Sequence, residues 1–273
     1  MVHAAISELT MFRWDLAAEA DCLVRHGFQA ISLWRTKLSD IGVEAARSLL
    51  QQAGLGVSSL QWAGGFTGGD GRSFGESVDD ALEAVDAAAE LGADVLVVHS
   101  GCRGGHTRSH ARRLLADALD VIAPEAFSRG VTLALKPMHP AVAAGGSFLT
   151  SPAEAAAWVE RFDHPGVRIA LDLWQFGHDR GLFGEIGRLV PLTALVQVAD
   201  GRGAPVADAE RLPPGRGTHP LSALVAALVE HGYGGAFEMA PVGEAVEALG
   251  YDEVLRQASL TAAAWNRLVR VPA

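Results

Sequence analysis

The chain alternates short apolar, β-branched runs with helical stretches eight times along its length. The runs span 4–9, 30–35, 57–62, 95–100, 132–137, 168–173, 195–200 and 235–240. The intervening stretches carry a 3.6-residue apolar period. In 77–92, Val78, Leu82, Val85 and Ala89 form a stripe that Gly92 ends. In 151–162, Ser151 is placed to cap, Pro152 to open the helix and Glu154 to complete a capping box. In 218–232, Thr218 leads into Leu221, Leu224, Val225 and Leu228, and Gly232 stops the run. Gly27, Gly54, Gly92, Gly130 and Gly232 each precede a strand, as a helix end turning back into a sheet requires. Eight strand–helix units over about 250 residues predict an α/β fold, a single (β/α)8 TIM barrel. The near-continuous apolar strands suit parallel strands covered on both faces. A doubly wound open sheet is the competitor, but it places a glycine-rich phosphate turn after its first strand. The first glycine of this chain is Gly27. No linker or low-complexity tract divides residues 1–273, so one domain is expected.

Composition narrows the function. With 49% hydrophobic residues the chain can bury a sizeable core, and its net charge of −10 disfavours a phosphate-neutralising nucleic-acid binder. Two cysteines, Cys22 and Cys102, make neither a disulfide framework nor a cysteine-based zinc site. A reducing, cytoplasmic setting fits that count, and no run has the length or apolarity of a signal peptide or membrane span. Of 22 basic residues only two are lysine, Lys37 and Lys136, leaving 22 − 2 = 20 arginines. Where a generic cation is wanted this chain uses arginine, which marks the lysines as candidates for chemistry of their own.

In a barrel of this kind chemistry sits where strands end. Those ends carry Glu8; Trp34 and Arg35; Gln61 and Trp62; His99; Lys136 and His139; Asp172, Trp174 and Gln175; Gln197 and Asp200; and Glu238. His99 alone reads equally well as a satisfied core histidine, and Asp200 before Gly201 as a turn former. Three tryptophans at one level suggest walls that stack on a small polyol. Lys136, Asp172, Gln197 and Glu238 form the firmest set, because a core strand accepts charge only when paired or functional. The glycine-rich stretch 64–71 lacks the Lys-Ser/Thr ending of a phosphate loop and reads as a mobile lid. Arg103, His106, Arg108, His110, Arg112 and Arg113 make a local basic patch that reads as a solvated helix start.

At these residues the sequence resembles the xylose isomerase-like TIM barrel superfamily, and within it the sugar phosphate isomerase/epimerase group. That group includes hydroxypyruvate isomerases, ketose 3-epimerases, inosose dehydratases and dehydroshikimate dehydratases. The resemblance runs over nearly the whole chain, through GFQAISLW (27–34), AAELGADVLVVHSG (88–101), GVTLALKPMHP (130–140), VRIALDLWQ (167–175), LVQVADGRG (195–203), PPGRGTHPL (213–221) and HGYGGAFEMA (231–240). It implies one divalent metal, Mn²⁺ or Mg²⁺, held at strands 5 to 8 by a Glu, an Asp, a His or Gln, and a Glu. It also implies proton transfer between neighbouring carbons through an enediolate. Asp172, Gln197 and Glu238 fall on the last three ligand positions. Lys136 replaces the first Glu, and Gln175 stands where relatives carry a His, with His178 three residues further on.

An ammonium cannot ligate a metal and repels one, by about 4 kcal/mol per unit charge at roughly 4 Å and an effective dielectric of about 20. The expectation is therefore no metal and no other cofactor, with the Lys136 ammonium near the metal position, paired with Asp172 and Glu238. If a weakened Mn²⁺ or Mg²⁺ site persists, its ligands are Asp172, Gln197 and Glu238. Lys136, Glu238 and His139 are the expected catalytic groups. Trp34, Trp62, His99, Asp172, Trp174, Gln175, Gln197 and Arg202 are the expected substrate contacts. The partner is a small carbonyl or polyol substrate, with no nucleic acid and no membrane; a homodimer is compatible with the sequence. Isomerisation, epimerisation and elimination stay open. So do a non-catalytic pseudoenzyme that binds a sugar-like ligand and a metal-free enzyme of a specialised biosynthetic pathway.

Overall fold

A computed structural model describes residues 2–143, 145–207 and 209–269. All eight anticipated strands form: β1 (His3–Ser7), β2 (Ala30–Trp34), β3 (Gly56–Gly64), β4 (Val95–His99), β5 (Thr132–Leu135), β6 (Val167–Asp172), β7 (Thr193–Val198) and β8 (Ala236–Met239). They close into a barrel in sequence order, every pair parallel, with β8 returning to β1. Each strand needs apolar residues on both sides, toward the barrel interior and toward the helix ring. Ile6, Ile31, Leu60, Leu96, Leu135, Ile169, Val196 and Phe237 are accordingly fully or almost fully buried.

The strands end two residues before their apolar runs at β1, β5 and β7. Lys136 is the first residue beyond β5, and its N–H still bonds the Val98 carbonyl of β4 at 2.9 Å. The sheet thus fixes its backbone while its side chain is free of strand pairing. Register places Asp172, Gln197 and Glu238 side by side on β6, β7 and β8.

Helix ends follow the punctuation with two departures. Gly92 caps the helix Phe74–Leu91 in the left-handed region at φ 69°, where a side chain would be strained. Ser151 caps Pro152–Phe162 by accepting from the Glu154 N–H, but the expected reciprocal bond from Ser151 is absent. Glu154 turns instead to the Thr150 N–H and to Arg112 at 2.8 Å, because a guanidinium is the stronger donor. Thr218 is not a cap: the helix begins later, at Leu221, and the Thr218 hydroxyl donates to the Gly201 carbonyl.

Lys37, the second lysine, is also largely covered among carboxyl groups. Its ammonium bonds Glu19 on the helix Leu16–Arg25 and stands 3.7 Å from Glu8 just after β1. Glu8 in turn accepts from the Trp34 N–H at 2.6 Å. Burial, with the neighbouring Glu8 adding to it, pushes the Glu19 carboxyl up from 4.5 to about 9. A raised folded value means the native state favours the protonated form, so this contribution is whole below about pH 4.5 and is lost as pH rises toward 9. We expect Glu19→Gln to flatten the decline of stability between about pH 5 and pH 9, read by urea unfolding across that range. An unchanged slope would contradict the assignment.

Candidate active site

Lys136, Asp172, Gln197 and Glu238 meet at the carboxyl ends of β5 to β8. The Lys136 Nζ donates to Gln197 Oε1 at 2.5 Å and pairs with Asp172 Oδ2 at 3.0 Å. Pairing with Glu238, expected from the sequence, is indirect: Gln197 stands between, its Nε2 donating to Glu238 Oε2 at 3.2 Å. Asp172 and Glu238 are fully buried, whereas Lys136 keeps 9% of its surface exposed.

Asp172 is held as a carboxylate. Its Oδ2 accepts from Lys136, from Arg211 Nη2 at 2.7 Å and from Gln175 Nε2 at 3.2 Å, while Oδ1 accepts from the Trp174 N–H. Burial alone would raise its pKa, but Arg211 and Lys136 outweigh burial and hold it well below the usual carboxylate range. Glu238 differs. Ser58 and Ser59 donate to Oε1 at 2.9 and 2.5 Å, and Gln61 and Gln197 donate to Oε2. Burial nevertheless pushes Glu238 above the ordinary carboxylate value, the hydrogen bonds and Lys136 only partly opposing it. Asp172 and Glu238 thus sit in one layer with proton affinities shifted in opposite directions, because one has two cations on it and the other has neutral donors. Burial likewise pulls the Lys136 ammonium below the usual lysine range, with Asp172 and Glu238 holding it up.

The remaining candidates divide. Gln175 joins the cluster twice over, through Asp172 and by accepting the His139 N–H at 2.6 Å. It thereby fixes the turn after β5 that carries His139. His178, offered as a substitute for the histidine absent at 175, packs edge-on against His139 with ring centroids 5.4 Å apart. His99 stacks flat on Trp62 at 5.1 Å, and burial, with Lys136 adding to it, lowers its pKa to about 3, so it is neutral. Trp62 is 42% exposed and, with Trp34 and Gln61, lines a cavity of about 330 Å³. Trp174 departs from the three-tryptophan wall. It is buried beneath the Arg211 guanidinium, 4.7 Å from its ring centre, and its indole N–H donates to the Glu210 carbonyl. Arg202 is exposed on the loop after β7 and makes no hydrogen bond or ion pair to Lys136, Asp172, Gln197 or Glu238.

Arg211, rather than Arg202, is the arginine that contacts Asp172, and strand periodicity could not find it. Its backbone bridges to Val242, the adjoining Leu212 bridges to Asp200, and its Nε donates to the Ala240 carbonyl. Asp200 organises the same loop by accepting from the N–H groups of Gly201, Gly215 and His219, so its turn-forming reading holds. Ser58 and Ser59 were also missed, although two adjacent serines in an apolar strand signal a buried polar partner.

The glycine-rich stretch is not a loose lid. Phe66 is fully buried, the Thr67 hydroxyl donates to the Cys102 carbonyl, and His106 reaches the Thr67 carbonyl. Close approach explains its first glycine, since a Cβ at Gly64 would lie 1.9 Å from the His99 carbonyl oxygen. The basic patch lies at the start of the helix Arg108–Ser128, where Arg112 pairs with Glu154 and Arg113 with His110.

A closed parallel barrel with its polar side chains gathered at the carboxyl ends of successive strands defines a TIM barrel of the strand-end-site class. The chain belongs to the xylose isomerase-like TIM barrel family, whose model matches residues 20–257. A crystal structure of protein SMc04130 from Sinorhizobium meliloti 1021 is 27% identical, with a TM-score of 0.85 over 96% of this chain and 98% of that one. A 3-keto-D-glucoside 4-epimerase, YcjR from E. coli, superposes at TM-score 0.78 and 18% identity over 98% and 100%. A D-psicose 3-epimerase from Clostridium cellulolyticum H10, solved with D-tagatose, gives 0.77 and 15% over 98% and 99%. No curated protein matches the sequence. Among the described residues, no helix is long and apolar enough to cross a membrane.

Proposed function

We propose that this protein is an isomerase- or epimerase-type enzyme that removes a proton beside a carbonyl of a small polyhydroxy or keto substrate. In it the Lys136 ammonium takes the place of a divalent metal. The supporting observation is the Gln197 carboxamide, whose oxygen faces Lys136 Nζ and whose N–H faces Glu238 Oε2. An enolisable carbonyl compound presents the same pair: an oxygen that accepts, and a neighbouring C–H that a carboxylate can take. Substrate entry exchanges Gln197 for the substrate at both groups. Glu238 accepts the proton, and Lys136 stabilises the enolate oxygen that develops; the His139 ring packs instead against Phe176 and His178, in a pocket beside the centre. Return of the proton to the other carbon gives isomerisation, return to the other face gives epimerisation, and departure of a β-substituent gives elimination.

The donor set argues against a dication at this centre. Asp172 Oδ2 already receives two cationic side chains, and each oxygen of Glu238 receives two donors. A hard dication needs several oxygen lone pairs, and it would stand among the charges of Lys136 and Arg211. No step of the mechanism is therefore routed through a metal.

Incubation in deuterated water with ketoses, keto-glycosides and hydroxypyruvate, followed by NMR, tests the proposal. Exchange or conversion at the carbon beside the carbonyl is the expected result for at least one of them. Binding without exchange in any member of the panel would support a ligand-binding pseudoenzyme instead. The rate should follow a bell in pH. Glu238 must be ionised, so the acid limb lies above the ordinary carboxylate range; Lys136 must be protonated, so the alkaline limb lies below the ordinary lysine range.

A further inference from the structure

We propose that Cys22, His26 and Asp252 form a second, unrelated site on the outside of the barrel, for a borderline-soft divalent cation of the zinc class. Cys22 and His26 stand four residues apart at the carboxyl end of the helix Leu16–Arg25, on one face of it. Asp252 opens the helix Tyr251–Leu268, the last of the described chain. Its Oδ1 lies 3.2 Å from Cys22 Sγ and 3.1 Å from His26 Nε2. All three ligand atoms fall within 4.8 Å of one another. With metal–sulfur bonds of about 2.3 Å and metal–nitrogen or –oxygen bonds of about 2.0 Å, tetrahedral ligands stand about 3.3–3.6 Å apart. Asp252 Oδ1 thus already stands near the spacing a tetrahedral ion requires from each of the other two ligand atoms.

The donors choose the ion. One sulfur, one imidazole and one carboxylate suit zinc or cobalt and not magnesium or calcium. Among the described residues no other trio of His, Cys, Asp and Glu is gathered this closely, the barrel centre included. A helix carboxyl end also favours a cation. Arg25 is the opposing charge: its Nη1 touches the same Asp252 oxygen at 3.1 Å. It is more than half exposed and already bonds Asp21 through Nε, so it can withdraw to that partner. Binding releases the Cys22 thiol proton to solvent, and thiolate, carboxylate and dication then sum to zero charge. The ion would tie the first helix to the last, beside the β1–β8 seam where the chain closes on itself.

Cobalt titration tests the site apart from the barrel centre, where Lys136, Asp172, Gln197 and Glu238 offer no thiol. We expect one Co²⁺ per chain with a thiolate-to-cobalt charge-transfer band in the near ultraviolet, displaced by Zn²⁺. The band should vanish in Cys22→Ser, weaken in His26→Ala and persist in Cys102→Ser. Absence of the band in the unaltered protein, or its survival in Cys22→Ser, would overturn the proposal.

Discussion

Lys136→Glu should destabilise the metal-free protein and make it depend on Mn²⁺. The substitution removes one of two cations from the buried Asp172 and adds a third carboxylate beside Glu238. Breaking a buried ion pair by removing one partner costs about 3–5 kcal/mol. For a domain of this size that is roughly 10 °C in melting temperature. The new carboxylate also completes a set of four oxygen donors with Asp172, Gln197 and Glu238, which a hard dication can use. Mn²⁺ at about a hundred times its dissociation constant would return about 2.7 kcal/mol. The expected thermal-melt result is a large drop, mostly recovered by Mn²⁺, against no Mn²⁺ response at this centre in the parent. A variant that melts low and ignores Mn²⁺ would show that the scaffold no longer shapes a metal site.

Glu238→Gln should abolish proton transfer while leaving the fold in place. The amide matches the carboxylate in shape, and its oxygen can still accept from two of the four donors. The hydroxyls of Ser58 and Ser59 can turn to accept from its NH₂ group. What the amide cannot do is take a proton, and general-base catalysis is worth about 10²–10⁴ in rate. Deuterium exchange with an active substrate should fall by that factor with little change in melting temperature. A rate within about threefold of the parent, well short of that range, would remove Glu238 from the proton path. Equal losses of rate and stability would make it a structural residue.

Much of this architecture is legible in the sequence itself. Parallel barrel strands must be apolar on both faces, so they stand out as unbroken runs, and left-handed helix ends need glycine, so Gly54 and Gly92 mark the turns. The centre was readable for the complementary reason: Lys136, Asp172, Gln197 and Glu238 interrupt or end apolar runs where charge is costly. Arg211 was not, because two isolated bridges in a long loop set its position, and neither has a period. Trp174 was misjudged because a tryptophan that supports a guanidinium and one that faces a ligand look alike in sequence. Both lysines of the chain sit among carboxyl groups, Lys136 paired with Asp172 at the barrel centre and the largely covered Lys37 between Glu8 and Glu19. The rarity of lysine therefore marked two places where an ammonium is packed among carboxyl groups.

Elemental analysis of the Cys22→Ser protein, purified without chelator, tests the central claim most directly, since that variant leaves the barrel centre as the remaining candidate metal site. The account predicts Mn, Mg, Zn and Co all far below one equivalent per chain. One equivalent of any of them, lost again on Asp172→Asn, would contradict it and return Lys136 to the role of a bystander.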